Sequence, residues 1–347
     1  MRGGEKVVEA LCRLLPDADI FTLFYSPDRV SPAIREHCIT ASYLNPLRRF
    51  HRSLLPLMPR ALESFDLRDY DLVISSESGP AKGVSVNPGV RHICYCHTPM
   101  RYLWDLHDQY LNEWTHSAIK RAAIRYFTPR LREWDLATAA RVTEFIANSE
   151  NVRARIRKTY GRDSIVVYPP ADVASFHHEA AEDYFLIVSE LVPYKRIDLA
   201  VRVFSKNGRR LRIAGDGPEY SNLKGIAARN VEFLGRVSEG DLRSLYARCR
   251  AFVMPGEEDF GITMVEALAS GKPVIGLARG GILEIVPPEG AFLFDSPDEA
   301  AFEAAIARFE AAEAQIDAGA LQAAAQRFSS AEFDRKMRDI LEENDHH

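Results

Sequence analysis

The chain has 347 residues, which is more than one hydrophobic core usually holds, so we expect two domains. Hydrophobic residues make up 46% of it and charged residues 27%, a composition that excludes collagen-like, low-complexity and disulfide-scaffold proteins. The net charge of -5 argues against a general nucleic-acid-binding protein, which needs a broad basic surface.

The cysteines and histidines do not show the spacing of a metal site. Of the 5 cysteines only Cys94 and Cys96 lie close together, and a one-residue gap is too short for a zinc knuckle. The 10 histidines include no His-Glu-x-x-His pattern. We therefore predict buried, reduced cysteines and no metal. No signal peptide or membrane-length apolar stretch is visible, which predicts a cytoplasmic chain.

Short apolar runs typical of buried strands alternate with helical patterns along the whole chain. The strands predicted in the first half are Asp19–Tyr25, Asp71–Glu77, Arg91–His97, Glu144–Ser149 and Ser164–Pro170. Those predicted in the second half are Tyr184–Glu190, Arg210–Gly217, Val231–Gly235, Ala251–Pro255, Pro273–Ala278 and Gly290–Asp295. The predicted helices include Glu5–Leu15, Ile197–Lys206, Asp241–Arg250, Ile262–Ser270 and Ser330–Glu343. Apolar strands joined by helices indicate an α/β fold with two Rossmann-like, doubly wound parallel sheets.

The boundary between the halves is a small, polar and acidic stretch. It runs from Ala171 to Asp183 and gives an N-terminal domain of residues 1–172 and a second domain of residues 183–328. The start of the chain is unusual, because Gly3 and Gly4 lead directly into a helix. Such a pair normally follows the first strand of a Rossmann-like domain. We therefore predict that this first strand is missing.

The segment from Glu258 to Glu266 has the clearest ligand-binding pattern. It follows the strand predicted at Ala251–Pro255 and precedes a helix, whose N-terminus would offer hydrogen-bond donors to a phosphate or a sugar hydroxyl. The amides expected at this turn are those of Gly261, Ile262 and Thr263. The glutamates can accept hydrogen bonds from sugar or ribose hydroxyls. The alternative is that they only favour the start of a helix.

Other predicted strand ends carry further candidates. Lys195 follows the strand at Tyr184–Glu190, where its ammonium would lie at the ligand crevice and hold a diphosphate; a solvated surface pair with Arg196 is the alternative. Gly215-Asp216-Gly217-Pro218 resembles half of a dinucleotide fingerprint, but Tyr220 occupies the third glycine position. We interpret that segment as a turn beside a nucleotide.

Two features of the first half point to other roles. His97 follows a strand and is predicted at the rim of its sheet, with a buried structural histidine as the alternative. The stretch from Leu44 to Arg60 holds four arginines and no acid among apolar residues, and 118–158 is also rich in arginine. Such a segment can lie on an anionic membrane; the alternative is an amphipathic helix packed on its own sheet.

Together these segments resemble the retaining glycosyltransferases of family 4, which have the GT-B fold. The matching motifs are Glu258 with Glu266, Lys195, Gly215-Asp216-Gly217-Pro218, Gly280-Gly281 with Glu284, Asn148-Ser149, Tyr168-Pro169-Pro170 with Asp172, and His97-Thr98-Pro99. The segments His97–Asp105 and Leu191–Arg196 are most similar to bacterial mannosyltransferases that use GDP-mannose.

The resemblance implies two domains facing across a cleft and transfer of a hexose, best matched by mannose from GDP-mannose, to a glycan or lipid-linked saccharide. It implies retention by front-face displacement without metal or cofactor. Peripheral membrane contact is one of the two alternatives for the basic segments, and the net charge predicts no nucleic-acid partner. Glu258 would contact the donor sugar with the amides of Phe260–Thr263, Glu266 the ribose, and Lys195 the departing diphosphate. Arg196, Gly215 and Gly217 would line the donor site, and Gly3, Gly4, His97 and Arg101 the acceptor side. The final helix, within 329–347, would cross back to the first domain.

The chain departs from the family at two places. Glu190 stands where many members carry a diphosphate-binding arginine, a role that Arg196 could fill. The missing first strand predicts a start upstream of Met1 or an impaired first domain. Two alternative functions follow: a nucleotide-sugar epimerase or phosphorylase on the same scaffold, and a non-catalytic nucleotide-sugar-binding protein.

Overall fold

A computed structural model of the protein describes residues 3–112 and 117–342. The chain forms two compact units. One comprises the residues through Pro169 together with those from Asp334 onward, and the other is Pro170–Phe333.

All strand pairs of the first unit are parallel within the described residues. Its strands are β1 (Ile20–Thr22), β2 (Ile39–Ala41), β3 (Leu72–Glu77), β4 (Arg91–Cys96), β5 (Glu144–Ala147) and β6 (Ile165–Val166). Its helices are α1 (Gly3–Leu14), α2 (Pro32–Arg35), α3 (Met58–Glu63), α4 (His107–Asn112), α5 (Ala118–Ala139) and α6 (Glu150–Tyr160). The strands form a two-stranded sheet, β1-β2, and a four-stranded sheet, β3-β4-β5-β6.

Local sequence explains why α6 begins and ends where it does. The Ser149 hydroxyl accepts the Val152 N–H at 3.1 Å, which satisfies a donor of the first turn. Gly161 adopts φ 64° just after the last turn, a conformation that suits glycine at the end of a helix. The strand predicted before this helix is confirmed as β5. It ends at Ala147 rather than Ser149, because Ser149 already caps the helix.

The second unit contains one six-stranded sheet, and all of its strand pairs are parallel. Along the chain, helices alternate with the strands. Its strands are β7 (Phe185–Val188), β8 (Leu211–Ala214), β9 (Val231–Gly235), β10 (Phe252–Met254), β11 (Val274–Leu277) and β12 (Ala291–Phe294). Its helices are α7 (Ile197–Asn207), α8 (Tyr220–Ile226), α9 (Glu239–Arg248), α10 (Ile262–Ala269), α11 (Ile282–Ile285), α12 (Glu299–Ala312) and α13 (Ala318–Ala325). The predicted α/β class with parallel sheets is confirmed.

The strand order of this sheet is β9-β8-β7-β10-β11-β12, the Rossmann order. The chain moves from β7 outward to one edge, returns to β10 beside β7, and continues to the other edge. In such a sheet the ligand crevice lies at the carboxyl ends of the two strands where the direction reverses. These strands are β7 and β10, and Lys195 and Glu258 follow them in sequence.

The last helix, α14 (Ser330–Glu342), begins in the second unit and continues into the first. Within the first unit, the Arg91 guanidinium donates to the Ile340 carbonyl at 2.7 Å and to the Leu341 carbonyl at 3.3 Å. The same guanidinium pairs with Glu144 at 2.8 Å. The start of β4 therefore holds the end of α14; Glu343, the predicted end, is outside the described residues.

Several expectations need correction. The strand β2 was not predicted, since three residues are too short for a recognisable alternation. Cys38 is exposed, whereas the other cysteines are buried as predicted. The stretch from Leu44 to Arg60 forms a 3-10 helix at Asn45–Ser53, a second at Leu55–Leu57 and then α3. Its prolines prevent one regular α-helix from spanning the stretch, so the amphipathic helix assumed by the sheet-packing alternative does not form.

Candidate active site

An ion pair in the second unit brings together the two strongest sequence candidates. Lys195 Nζ contacts the carboxylate of Glu258, and their side chains are only 14% and 19% exposed. Burial disfavours the charged amine, but Glu258, Tyr194 and Asp259 together outweigh it, so the pKa of Lys195 lies above its ordinary value. The amine therefore stays a cation at neutral pH, as binding of a diphosphate requires.

The loops around this pair approach one another backbone to backbone. A Cβ on Gly256 would lie 2.6 Å from the Lys195 carbonyl oxygen, and one on Gly281 would lie 2.1 Å from the Phe260 carbonyl oxygen. The Gly281 N–H also donates to the Glu258 carbonyl at 2.9 Å. Glycine at these positions permits the close approach that fixes Lys195 and Glu258 together.

The N-terminus of α10 completes this loop. Gly261 precedes the helix with φ +100°, in the left-handed region that favours glycine. Ile262 and Thr263 form the first turn, where amides lack acceptors within the helix. Phe260 is buried against the Phe328 ring at 5.6 Å between centroids, which holds the turn in place. The arrangement can donate hydrogen bonds to an anion or to sugar hydroxyls.

Glu266 lies on α10 and is 7% exposed. Its carboxylate accepts the hydroxyl of Tyr246 at 3.1 Å. Burial and the neighbouring carboxylate raise the pKa of Tyr246, so this phenol stays protonated and keeps donating. Tyr246 therefore orients Glu266, a partnership that the sequence analysis missed because the two residues lie on different helices.

The other predicted donor residues lie on neighbouring turns. Gly215 follows β8 and donates its N–H to the Gly235 carbonyl at 2.7 Å, while the Gly217 N–H donates to Asp216 at 2.8 Å. Arg196 adopts φ 53°, and its Nε contacts Asp198 at 3.3 Å. This conformation is unusual for a residue with a Cβ and typical of a functional loop. Glu190 is half-buried, and its carbonyl accepts the Val192 N–H at 3.0 Å.

The first unit holds His97 at the end of β4. Its backbone N–H donates to the Glu77 carbonyl at 2.7 Å, and a hydrogen bond of 2.9 Å joins its imidazole Nε2 to the Ser76 hydroxyl. Burial lowers the pKa of His97 to about 4, so the imidazole is neutral at pH 7. A neutral imidazole can exchange hydrogen bonds with an acceptor hydroxyl. The sequence does not show that Ser76 meets His97, because the two residues come together only when β3 and β4 pair in the folded chain.

The remaining predicted acceptor-side residues differ in their surroundings. A Cβ on Gly4 would lie 3.3 Å from His97 Nε2, so the start of α1 and His97 are neighbours. A Cβ on Gly3 would meet nothing within 4 Å. Arg101 is half-buried, and its carbonyl accepts the Leu106 N–H at 2.8 Å in the turn after β4. The structure therefore brings Gly4 and His97 together, but it shows no such contact for Gly3.

Metal-binding clusters and membrane-spanning helices are both absent from the part of the chain that the structure describes. Within residues 3–112 and 117–342, no group of three or more His, Cys, Asp or Glu side chains is arranged to hold a metal ion. In the same part of the chain, no helix is long and apolar enough to cross a membrane.

Comparison with known proteins agrees with the fold and the motifs. The family model described as glycosyl transferases group 1 matches residues 171–344, and that of glycosyltransferase family 4 matches residues 1–175. The O-antigen chain mannosyltransferase RfbU of Salmonella typhimurium is 30% identical over 175 residues, 47% of this chain and 49% of that protein. A GDP-mannose-dependent alpha-mannosyltransferase of Mycolicibacterium smegmatis is 35% identical over 102 residues, 29% of this chain and 27% of that protein.

The chain thus spans less than half the length of these relatives. Among solved structures, Anabaena HepE in complex with UDP and glucose aligns with a TM-score of 0.69 and 17% identity, covering 99% of this chain and 96% of that one. This likeness shows the predicted GT-B fold. Since each family model covers half of the chain, the protein belongs to the group 1 and family 4 glycosyltransferases.

Proposed function

We propose that the protein is a glycosyltransferase that moves a hexose from a nucleotide diphosphate sugar to a saccharide or lipid-linked acceptor. The observation that carries the proposal is the Lys195–Glu258 pair at the reversal point of a Rossmann sheet, beside a helix N-terminus. A buried cation suits the diphosphate, and a carboxylate suits the sugar hydroxyls. Residues 1–172 would bind the acceptor and residues 183–328 the donor.

The proposed roles follow from this chemistry. Lys195 stabilises the charge that grows on the diphosphate as the glycosidic bond breaks. Glu258 and the amides of 260–263 orient the sugar, and Glu266 accepts from the ribose. The acceptor oxygen forms its bond to the anomeric carbon on the side that the diphosphate leaves, so configuration is retained. The acceptor proton passes to a departing phosphate oxygen, and the neutral His97 hydrogen-bonds the acceptor.

The proposed donor is GDP-mannose. The support comes from the His97–Asp105 and Leu191–Arg196 segments and from relatives whose names include a mannosyltransferase and a GDP-mannose-dependent one. No metal ion is required in this proposal, because Lys195 supplies the positive charge at the diphosphate.

The proposed partner surface is an anionic membrane on the cytoplasmic side. Leu55 and Phe127 pack in one apolar cluster, which places the 44–60 stretch beside α5. The sequence contains no acid in 44–60 or 117–132. The exposed apolar side chains of these two stretches are Leu47, Phe50, Leu57, Ile119 and Tyr126, and the exposed Tyr43 directly precedes the first stretch. A face that combines such residues with arginines partitions to anionic lipid.

The test is the thermal stability of the purified chain with GDP-mannose, UDP-glucose and other nucleotide sugars, each with magnesium or with EDTA. A ligand at 100 times its Kd stabilises the folded state by about 2.7 kcal/mol. We expect GDP-mannose to give the largest shift and EDTA to leave it unchanged. A shift that EDTA abolishes contradicts metal independence.

Product analysis then separates the proposed activity from its alternatives. A transferase needs an acceptor and releases GDP, an epimerase converts the donor without one, and a phosphorylase requires free phosphate. No shift with any nucleotide sugar would overturn the proposal.

A further inference from the structure

A buried charge cluster, consisting of Glu77, Lys82 and Asp135, lies in the first unit outside the residues assigned above. The side chains of Lys82 and Asp135 are completely buried and that of Glu77 is 1% exposed. Lys82 Nζ contacts Asp135 Oδ1 and lies 3.2 Å from Glu77 Oε1. Two carboxylates thus share one ammonium where no solvent reaches them.

The charge cluster joins three parts of the first unit. Glu77 is the last residue of β3, and its Oε2 accepts the Lys82 N–H at 2.7 Å. Asp135 belongs to α5 and accepts the indole N–H of Trp104 at 2.8 Å. Trp104 lies in the loop that follows His97. The charge cluster therefore connects the end of β3, helix α5 and the loop that begins at His97.

The hydrogen bonds of His97 depend on the same strand end. The Glu77 carbonyl accepts the His97 N–H at 2.7 Å, and the preceding residue, Ser76, bonds the imidazole at 2.9 Å. A displacement of the end of β3 by one ångström would lengthen both contacts beyond hydrogen-bonding range.

Stability alone does not account for such a cluster. Removing charges from water is costly, and well-packed apolar residues of similar volume hold a core together as well or better. Charged hydrogen bonds are directional and specify one arrangement of the groups that make them. A cluster of this kind is therefore suited to fixing a geometry.

We propose that Lys82 is a positioning residue: by holding Glu77 and Asp135 together, it fixes the strand end and the loop so that Ser76 meets His97. This inference rests on the proposed function in one respect, since it assigns that geometry to acceptor transfer.

The main experiment uses the triple variant Glu77→Gln/Lys82→Met/Asp135→Asn, which removes the cluster's charges together and leaves no unpaired buried ion. Lys272→Met is the matched control, because Lys272 is also buried, belongs to the second unit and donates to the Glu179 carbonyl at 2.9 Å. We expect the triple variant to lose at least tenfold in kcat with the donor KM unchanged. The control should keep both values.

A second measurement does not depend on turnover. The His97 imidazole is observed by ¹⁵N NMR, with its resonance assigned by its loss in His97→Gln. Ser76→Ala gives the position expected without the hydrogen bond. The proposal requires the triple variant to move the resonance to that position, whereas Lys272→Met leaves it unmoved.

The outcomes separate the two proposals. A His97 resonance at the wild-type position in the folded triple variant overturns the positioning role, whatever its turnover. Absence of transfer by the wild-type protein refutes the proposed function, while the NMR result still decides the positioning role. If the triple variant does not fold, Trp104→Phe removes one hydrogen bond to Asp135 without leaving a charge unpaired, and the same resonance criterion applies to it.

Discussion

Lys195 and Glu258 carry opposite charges and should therefore have opposite effects on the binding of GDP. In Lys195→Met the cation is gone and Glu258 faces the diphosphate alone, so we expect the Kd for GDP to rise at least tenfold. In Glu258→Gln the amine loses its counter-charge, so we expect GDP to bind more tightly while kcat falls. Isothermal calorimetry with GDP and rate assays measure the two effects.

Lys206→Met is the control for this pair, because Lys206 contacts Glu299 in an exposed ion pair of the same unit. Its GDP affinity should equal that of the wild type. Equal weakening of GDP binding in Lys195→Met and Glu258→Gln would contradict the opposite roles of these two residues.

Two histidines, the buried His92 and the half-buried His97, make the first unit sensitive to acid. Burial lowers the pKa of both His92 and His97 to about 4, below the ordinary value of 6.5. Between these values the unfolded chain binds protons that the folded chain does not, so stability falls as the pH falls from 6.5 to 4. At pH 5 each histidine should lower the free energy of unfolding by about 2 kcal/mol relative to pH 8.

Denaturant unfolding of His92→Gln at pH 5 and pH 8 checks this prediction. The variant should lose about half of the acid sensitivity that the two histidines produce. His51→Gln serves as the control, because His51 is exposed in the same unit. An acid sensitivity of His92→Gln equal to that of the wild type would show that His92 takes up its proton without cost.

At the scale of elements, the loops after β10 and β11 are positioned by contact between their backbones. A methyl group on Gly281 would lie 2.1 Å from the Phe260 carbonyl oxygen, so in Gly281→Ala one loop must move. We expect donor affinity to fall at least fivefold and the second unit to lose about 1–3 kcal/mol. Calorimetric binding of GDP and thermal unfolding measure the two losses.

The control for that substitution is Gly225→Ala. Gly225 lies within α8 and a methyl group there would meet nothing within 4 Å, so alanine should stabilise this helix by about 0.5–1 kcal/mol. Donor affinity should not change. If Gly281→Ala also leaves it unchanged, the close approach of the two loops is not what places Glu258.

The arginines and exposed apolar residues of 44–60 and 117–132 predict how the whole chain distributes between water and lipid. We expect the protein to bind vesicles that contain phosphatidylserine and not to bind vesicles of phosphatidylcholine. Each basic residue near an anionic surface contributes about 1 kcal/mol, so the double variant Arg49→Ser/Arg130→Ser should bind about 30-fold more weakly. Vesicle sedimentation at low and high salt measures this partitioning.

Arg243→Ser is the control, since Arg243 pairs with Glu239 on α9 of the second unit. It should bind vesicles as the wild type does. Equal binding to both kinds of vesicle, or no effect of the double variant, would contradict an electrostatic membrane contact.

Much of the fold could be predicted because its signals are local. Most strands of the second unit are apolar runs, with charged residues only at Arg212 in β8 and Glu232 in β9, and each strand was predicted within a few residues of its observed limits. Errors arose where the signal is short or interrupted: β2 has three residues, and the prolines near Leu44–Arg60 produce 3-10 turns. Local periodicity cannot be recognised over so few residues.

By itself, the sequence determined the α/β class, the family motifs and the candidates Lys195, Glu258 and His97. Only the tertiary structure decided which side chains meet: Lys195 with Glu258, Tyr246 with Glu266, Ser76 with His97, and Lys82 with both Glu77 and Asp135. The physical reason is that strand pairing and loop packing bring together residues far apart in the chain. Their distances follow from burial and backbone contact, which no local pattern encodes.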